Sequence, residues 1–100
     1  MKLAYMSYSG EKQETLSPET AQQLLAYGGQ LIDVRPPSDF EAGTLPGAMN
    51  LPLDSLLVEH SRLNKHQPVI LYCTRGLLCS RAARTLASLG FSQIYHFSLH

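Results

Sequence analysis

Only two of the 100 residues are cysteine, neither charge sign is in excess, and no long apolar run occurs. Each shortage excludes something. Cys73 and Cys79 stand six residues apart, so a bridge between them would close a tiny loop and link nothing distant. A disulfide-stapled secreted scaffold is therefore excluded, and the thiols point to a reducing, cytoplasmic setting. Two thiols are also too few for the four N/S ligands of a structural zinc site, because His60 and His66 stand seven or more residues upstream. No metal and no cofactor is expected. Eight basic residues balance eight acidic ones, which gives no field to steer a polyanion and predicts no nucleic-acid partner. No run approaches the ~18 apolar residues of a membrane span, so no membrane partner is expected either. The opening Met1-Lys2-Leu3-Ala4-Tyr5-Met6-Ser7 turns polar too soon to serve as a secretory signal. No repeat and no low-complexity segment is present.

What is present suffices for one domain. Apolar residues make up 44% of the chain, with five Tyr and three Phe among them, enough for one modest core. A weak strand over residues 3–6 and a polar stretch lead to Ser17-Pro18-Glu19. That triplet is a helix start, with Ser as N-cap, Pro at the first helical position and Glu near the positive end of the dipole. Ala21, Leu24 and Leu25 give this helix its apolar face, and Gly28-Gly29 stop it. Leu31-Ile32-Asp33-Val34 is a buried-strand signal ended by Pro36-Pro37. A short helix over 38–42, a short strand over 48–51 and a helix capped by Asp54 and carrying Leu56, Leu57 and Val58 follow. Residues 61–66 read as polar surface. The strongest strand, Val69-Ile70-Leu71-Tyr72, precedes Cys73-Thr74-Arg75-Gly76-Leu77-Leu78-Cys79 and a helix of about ten residues. Ala82, Ala83, Leu86 and Leu89 form that helix's apolar face, opposite Arg81, Arg84 and Ser88. Gly90 caps it, and residues 93–97 form a last strand. Strands alternating with helices predict a parallel sheet covered on both faces.

The informative unit is a buried strand, a Cys at its carboxyl end and a helix immediately after. Ligands of open α/β folds bind outside the carboxyl ends of strands. A loop entering a helix aims backbone N–H groups into its bowl, where they favour a thiolate over a thiol and hold a nearby anion. Gly76 supplies backbone freedom for the curl, and Arg75 adds a positive charge. Cys73 is thus a candidate nucleophile. Packing is the competing reading, since Cys is common in buried strand ends. The residues by themselves leave both open. Cys79 reads as a first-turn helix residue packed inward.

These features resemble the rhodanese family of sulfurtransferase domains. Leu31-Ile32-Asp33-Val34-Arg35 is similar to that family's hydrophobic-Asp-Val-Arg strand end. Residues 39–52, from Asp39-Phe40 through Gly43-Thr44-Leu45-Pro46-Gly47-Ala48 to Asn50-Leu51-Pro52, resemble its acidic-Phe-x-x-Gly-His-Ile-Pro-Gly-Ala-x-Asn-x-Pro stretch. Residues 69–73, Ala82-Ala83 and Leu89-Gly90-Phe91 match its active-site strand, loop and helix. The likeness runs over about 17–97, within a single domain spanning 1–100.

The resemblance implies an α/β fold with a five-stranded, mostly parallel sheet flanked by helices. It also implies a persulfide on Cys73, loaded from thiosulfate or a similar small anionic donor and passed to cyanide or a thiol acceptor. Backbone N–H groups of Thr74, Arg75, Gly76, Leu77, Leu78 and Cys79 would hold the transferring charge, while Asp33 and Arg35 brace the loop and sheet edge. Three positions depart from the family pattern. Leu78 and Cys79 replace an Arg and a Ser of the loop, and Thr44 replaces a His. The chain also ends at Leu99-His100, without the family's Gly-Gly turn and terminal helix, so that helix is expected to be missing. A regulatory binding module on the same fold is the alternative to an enzyme. So is a redox relay in which Cys79 resolves Cys73 as a disulfide. A phosphatase of related fold would need a loop one residue longer, closed by an Arg where Cys79 stands.

Overall fold

The structure is a computed structural model and describes residues 16–74 and 77–98. Its first helix, α1 (Pro18–Ala26), begins as its residue types require. The Ser17 Oγ accepts a hydrogen bond from the Thr20 N–H at 3.2 Å, satisfying one of the donors a helix start leaves open. The helix ends just before Gly28, whose φ of +94° suits a residue without a side chain. A Cβ there would also meet the Gln67 Oε1 at 2.6 Å.

Four strands follow in alternation with helices: β1 (Gln30–Asp33), α2 (Pro37–Ala42), β2 (Met49–Asn50), α3 (Leu56–Glu59), β3 (Val69–Cys73), α4 (Leu77–Ser88) and β4 (Ile94–Ser98). Short 3-10 turns at Leu53–Ser55 and His60–Arg62 flank α3. The strands pair in the order β2-β1-β3-β4, every pair parallel. Among the described residues the sheet has four strands, not the five expected. The weak strand expected over residues 3–6 lies outside the described residues. Leu16, leading into α1, donates a single backbone bond to the His96 carbonyl at 2.8 Å on β4. One bond does not make a strand.

Central β3 is buried along its whole length, as a strand covered on both faces must be. Alternation along it feeds two apolar clusters. Val69, Leu71 and Cys73 face α3 and α4, packing with Leu56, Cys79, Ala82, Ala83 and Leu86. Ile70 and Tyr72 face α1, packing with Leu16, Ala21, Leu24 and Phe97. The solvent face of α4 carries Arg81 and Arg84 as its spacing predicts.

Around α3 the sequence expectations needed correction. Asp54 caps nothing and sits inside the 3-10 turn that precedes the helix. The helix is a single turn, so only Leu56 reaches the core, while Leu57 and Val58 are exposed. Leu63, within a stretch read as polar surface, is buried against the α4 side of the sheet. No helix among the described residues is long and apolar enough to cross a membrane.

Candidate active site

β3 delivers Cys73 to the carboxyl edge of the sheet, and α4 begins four residues later. The Cys73 side chain is buried. The first-turn N–H groups of α4, at Leu77, Leu78 and Cys79, have no acceptor within the helix and leave positive potential at this end. Thr74 is an exposed bend and Leu77 is exposed, while Leu78 is half-buried against the core. Arg75 and Gly76 lie outside the described residues.

Cys79 points inward from the first turn of α4 and is fully buried. It lies beside Cys73, and the two are not joined in a disulfide. Burial pushes the Cys79 thiol far up, and its hydrogen bond with Cys73 adds to the effect, followed by the charges of Cys73 and Asp33. A hydrogen-bonding neighbour this close can stabilise negative charge on Cys73, which is what a nucleophilic sulfur requires.

A third group joins them. His96 pairs in register with Leu71, so its side chain emerges on the α4 side of the sheet, one alternation from Cys73. The two sulfurs and one imidazole nitrogen lie within 4.8 Å of one another. His96 escaped the sequence analysis because it stands 17 residues beyond Cys79, in a strand read only for its apolar residues. Its signal was the alternation Ile94-Tyr95-His96-Phe97, which sends His96 to the same face as Ile94.

At the neighbouring strand end a polar brace replaces packing. Asp33 is fully buried, and its carboxylate accepts from the Arg35 Nη2 at 2.8 Å, the Arg35 Nε at 3.1 Å and the Arg35 backbone N–H at 2.9 Å. The Thr44 hydroxyl donates to it at 2.7 Å. Burial by itself raises an acid, but the guanidinium, the hydroxyl and the backbone N–H outweigh it and hold the Asp33 carboxyl below its ordinary value. The same pairing raises Arg35. The guanidinium also donates to the Gly43 carbonyl at 2.6 Å and lies 5.0 Å from the centre of the Tyr72 ring. Asn50 donates to the Asp33 and Arg35 carbonyls at 2.9 and 3.0 Å, tying β2 to the same corner.

A cleft of about 230 Å³ opens between this corner and the start of α4, lined in part by Pro36, Pro52, Leu53, Leu78 and Arg81. A second, more apolar cleft of similar volume lies across the sheet, between α1 and Phe97, away from both sulfurs.

The family model of the rhodanese-like domain matches residues 17–98. The uncharacterized protein YqhL of Bacillus subtilis (strain 168) is 43% identical over 67 residues, covering 67% of this chain and 53% of that protein. The chain thus spans about half the length of this relative. Thiosulfate sulfurtransferase GlpE of Ectopseudomonas mendocina (strain ymp) is 35% identical over 82 residues, covering 80% of this chain and 73% of the relative. The solved human single-domain sulfurtransferase TSTD1 matches with a TM-score of 0.72 at 25% identity, over 87% of this chain and 90% of that one. A match running from the N-cap of α1 to the end of β4, with the buried cysteine at the carboxyl end of the central strand, makes the chain a member of the rhodanese-like domain family.

Proposed function

We propose that the protein is a sulfurtransferase that carries a sulfane sulfur as a persulfide on Cys73. The Cys73 thiolate attacks the outer sulfur of thiosulfate or a similar small anionic donor. The donor's S–S bond breaks and sulfite leaves with the bonding pair. A thiophilic acceptor, cyanide or a thiol, then attacks the outer sulfur of the persulfide and returns Cys73 to its thiolate. Positive potential at the start of α4, the loop N–H groups from Thr74 to Cys79 and the Arg75 charge would hold the anions on either side of this exchange. Such a carrier thiol needs a reducing compartment, in keeping with a cytoplasmic location.

One observation carries the reading: Cys73 ends a fully buried central strand four residues before a helix start, with the Cys79 sulfur within 4.8 Å of its own. The test is intact mass spectrometry of freshly reduced protein after thiosulfate, followed by thiosulfate:cyanide sulfurtransferase assays of wild type and Cys73→Ser. We expect one added sulfur atom, removed by cyanide and absent from Cys73→Ser. A variant that keeps most of the activity refutes the assignment, and wild type that takes up no sulfur leaves the regulatory binding module as the better reading.

Proximity also favours a relay. In it Cys79 attacks the inner sulfur of the Cys73 persulfide, the outer sulfur leaves as hydrosulfide carrying the Cys79 proton, and a Cys73–Cys79 disulfide remains. The upward shift of Cys79 opposes this, because the attacking species is a thiolate. Carriage of sulfur is therefore the primary reading.

A further inference from the structure

Cys73, Cys79 and His96 reach one point from three elements: the end of β3, the first turn of α4 and the middle of β4. Their sulfurs and one imidazole nitrogen lie within 4.8 Å of one another. All three side chains are buried, His96 with only 8% of its surface exposed. The His96 Nε2 is buried with no hydrogen-bond partner. A polar atom without a partner in a dry interior is uncommon and calls for an explanation.

We propose that Cys73, Cys79 and His96 form a three-ligand zinc(II) site. Ligands at 2.3 Å (sulfur) and 2.0–2.1 Å (nitrogen) in tetrahedral array are separated by about 3.6–3.8 Å. From at most 4.8 Å, the three groups need to close by about 1 Å to bind one ion. Their chemistry selects the ion. Thiolate and imidazole favour zinc or monovalent copper over the hard, oxygen-seeking ions. Charge then favours zinc. Two thiolates and a neutral imidazole around a divalent ion sum to zero, which a buried site tolerates, whereas a monovalent ion leaves a net negative charge there. Binding forms two Zn–S bonds and one Zn–N bond and releases the protons the thiols carried, with no change of oxidation state. Three protein ligands leave a fourth position for water or a small anion.

The site has a consequence that rests on the sulfurtransferase reading. Zinc takes one lone pair of the Cys73 sulfur, withdraws its negative charge and crowds its approach to the donor, so zinc binding suppresses sulfur loading. The domain would then answer to thiophilic metal as well as to sulfur donors.

The test uses the full chain, freshly reduced, titrated with cobalt(II) as a spectroscopic stand-in and then with zinc. Thiolate-to-cobalt charge transfer can arise only from Cys73 or Cys79, the two cysteines of the sequence. We expect that band together with tetrahedral visible bands at one ion per chain, displaced by zinc. Loss of even an outer-shell partner costs a metal site about tenfold or more in affinity. Cys79→Ser and His96→Gln should each weaken binding by at least that factor, while His60→Gln and His66→Gln leave it unchanged. Circular dichroism separates lost ligation from lost fold, and Cys79→Ala serves if Cys79→Ser misfolds. No charge-transfer band, a band unaffected by His96→Gln in a folded variant, or binding only as a zinc-bridged dimer overturns the site. Persulfide loading is then followed with and without zinc. Zinc should suppress it in wild type, and His96→Gln should require about tenfold more zinc for equal suppression relative to its own zinc-free loading. Unsuppressed loading at full occupancy overturns the competition. A protein that binds cobalt through its thiols yet takes up no sulfur overturns the sulfurtransferase reading and leaves the metal site standing.

Discussion

Replacing Asp33 with Asn removes a buried charge while keeping the side chain's shape and one of its acceptor oxygens. In the native protein that carboxylate receives the Arg35 Nη2, Nε and backbone N–H and the Thr44 hydroxyl, all within 3.1 Å. The amide turns an NH₂ toward groups that are themselves donors. Breaking a buried ion pair from one side costs about 3–5 kcal/mol. Arg35 keeps the Gly43 carbonyl and the Tyr72 ring, and its side chain retains 11% exposure, so the lower end applies, about 3 kcal/mol. For a domain of this size that is a drop in Tm of about 12–24 °C. Urea unfolding at neutral pH, with an unchanged m-value, measures it. The pH dependence supplies a second check. The folded Asp33 carboxyl titrates below its ordinary value of 3.8, so its stabilisation is complete above that value and fades as pH falls through the lower, folded value. The gap between wild type and Asp33→Asn should therefore be constant from neutral pH down to about 5 and shrink below about 4. A loss under about 1 kcal/mol, the worth of an exposed pair, would refute this account of the brace. So would a gap that widens in acid.

Ser17→Ala removes the N-cap of α1 and should cost about 1 kcal/mol in urea unfolding without changing sulfur loading. Arg75→Ala should raise the KM for thiosulfate by up to about fivefold with little change in kcat, because the charge meets substrate and transition state alike. Steady-state kinetics decide, and an unchanged KM removes Arg75 from donor binding.

Most of the scaffold was legible because local chemistry and tertiary packing agree there. Ser17-Pro18-Glu19 starts α1, the apolar run at 69–72 becomes the central strand, and the spacing of Ala82, Ala83 and Leu86 becomes the buried face of α4. Around α3 they disagree. Asp54 has the residue type of a cap, but the chain tightens into a 3-10 turn there, and one helical turn buries Leu56 alone. The position of Cys73 could be read from the strand preceding it. Its surroundings could not, because they depend on register. Only the pairing of Leu71 with His96 brings a histidine from the last strand to the sulfurs. Proximity of Cys79 likewise depends on how the loop turns, which spacing does not determine.

Thr44 shows how the functional corner accommodates a departure from the family pattern. α2 buries no residue, has no side-chain cap and begins at paired prolines, so packing does little to hold it. Its far end is held by Arg35, which donates to the Gly43 carbonyl just past the helix. Arg35 in turn is aimed by Asp33, and Thr44 supplies the remaining donor to that carboxylate at 2.7 Å. Where the family usually places a histidine, a hydroxyl makes the bond with no titratable group of its own near neutrality. The brace therefore keeps its protonation state across the pH range in which a histidine would change charge. The segment from Pro36 to Gly43, which contributes Pro36 to the cleft near the start of α4, inherits that constancy. Thr44→His would make the corner pH-sensitive. Above the imidazole pKa a neutral ring would still donate one bond to Asp33. Below it a second cation would compete with Arg35 for the same carboxylate, loosening one wall of the cleft on the acid side of neutrality.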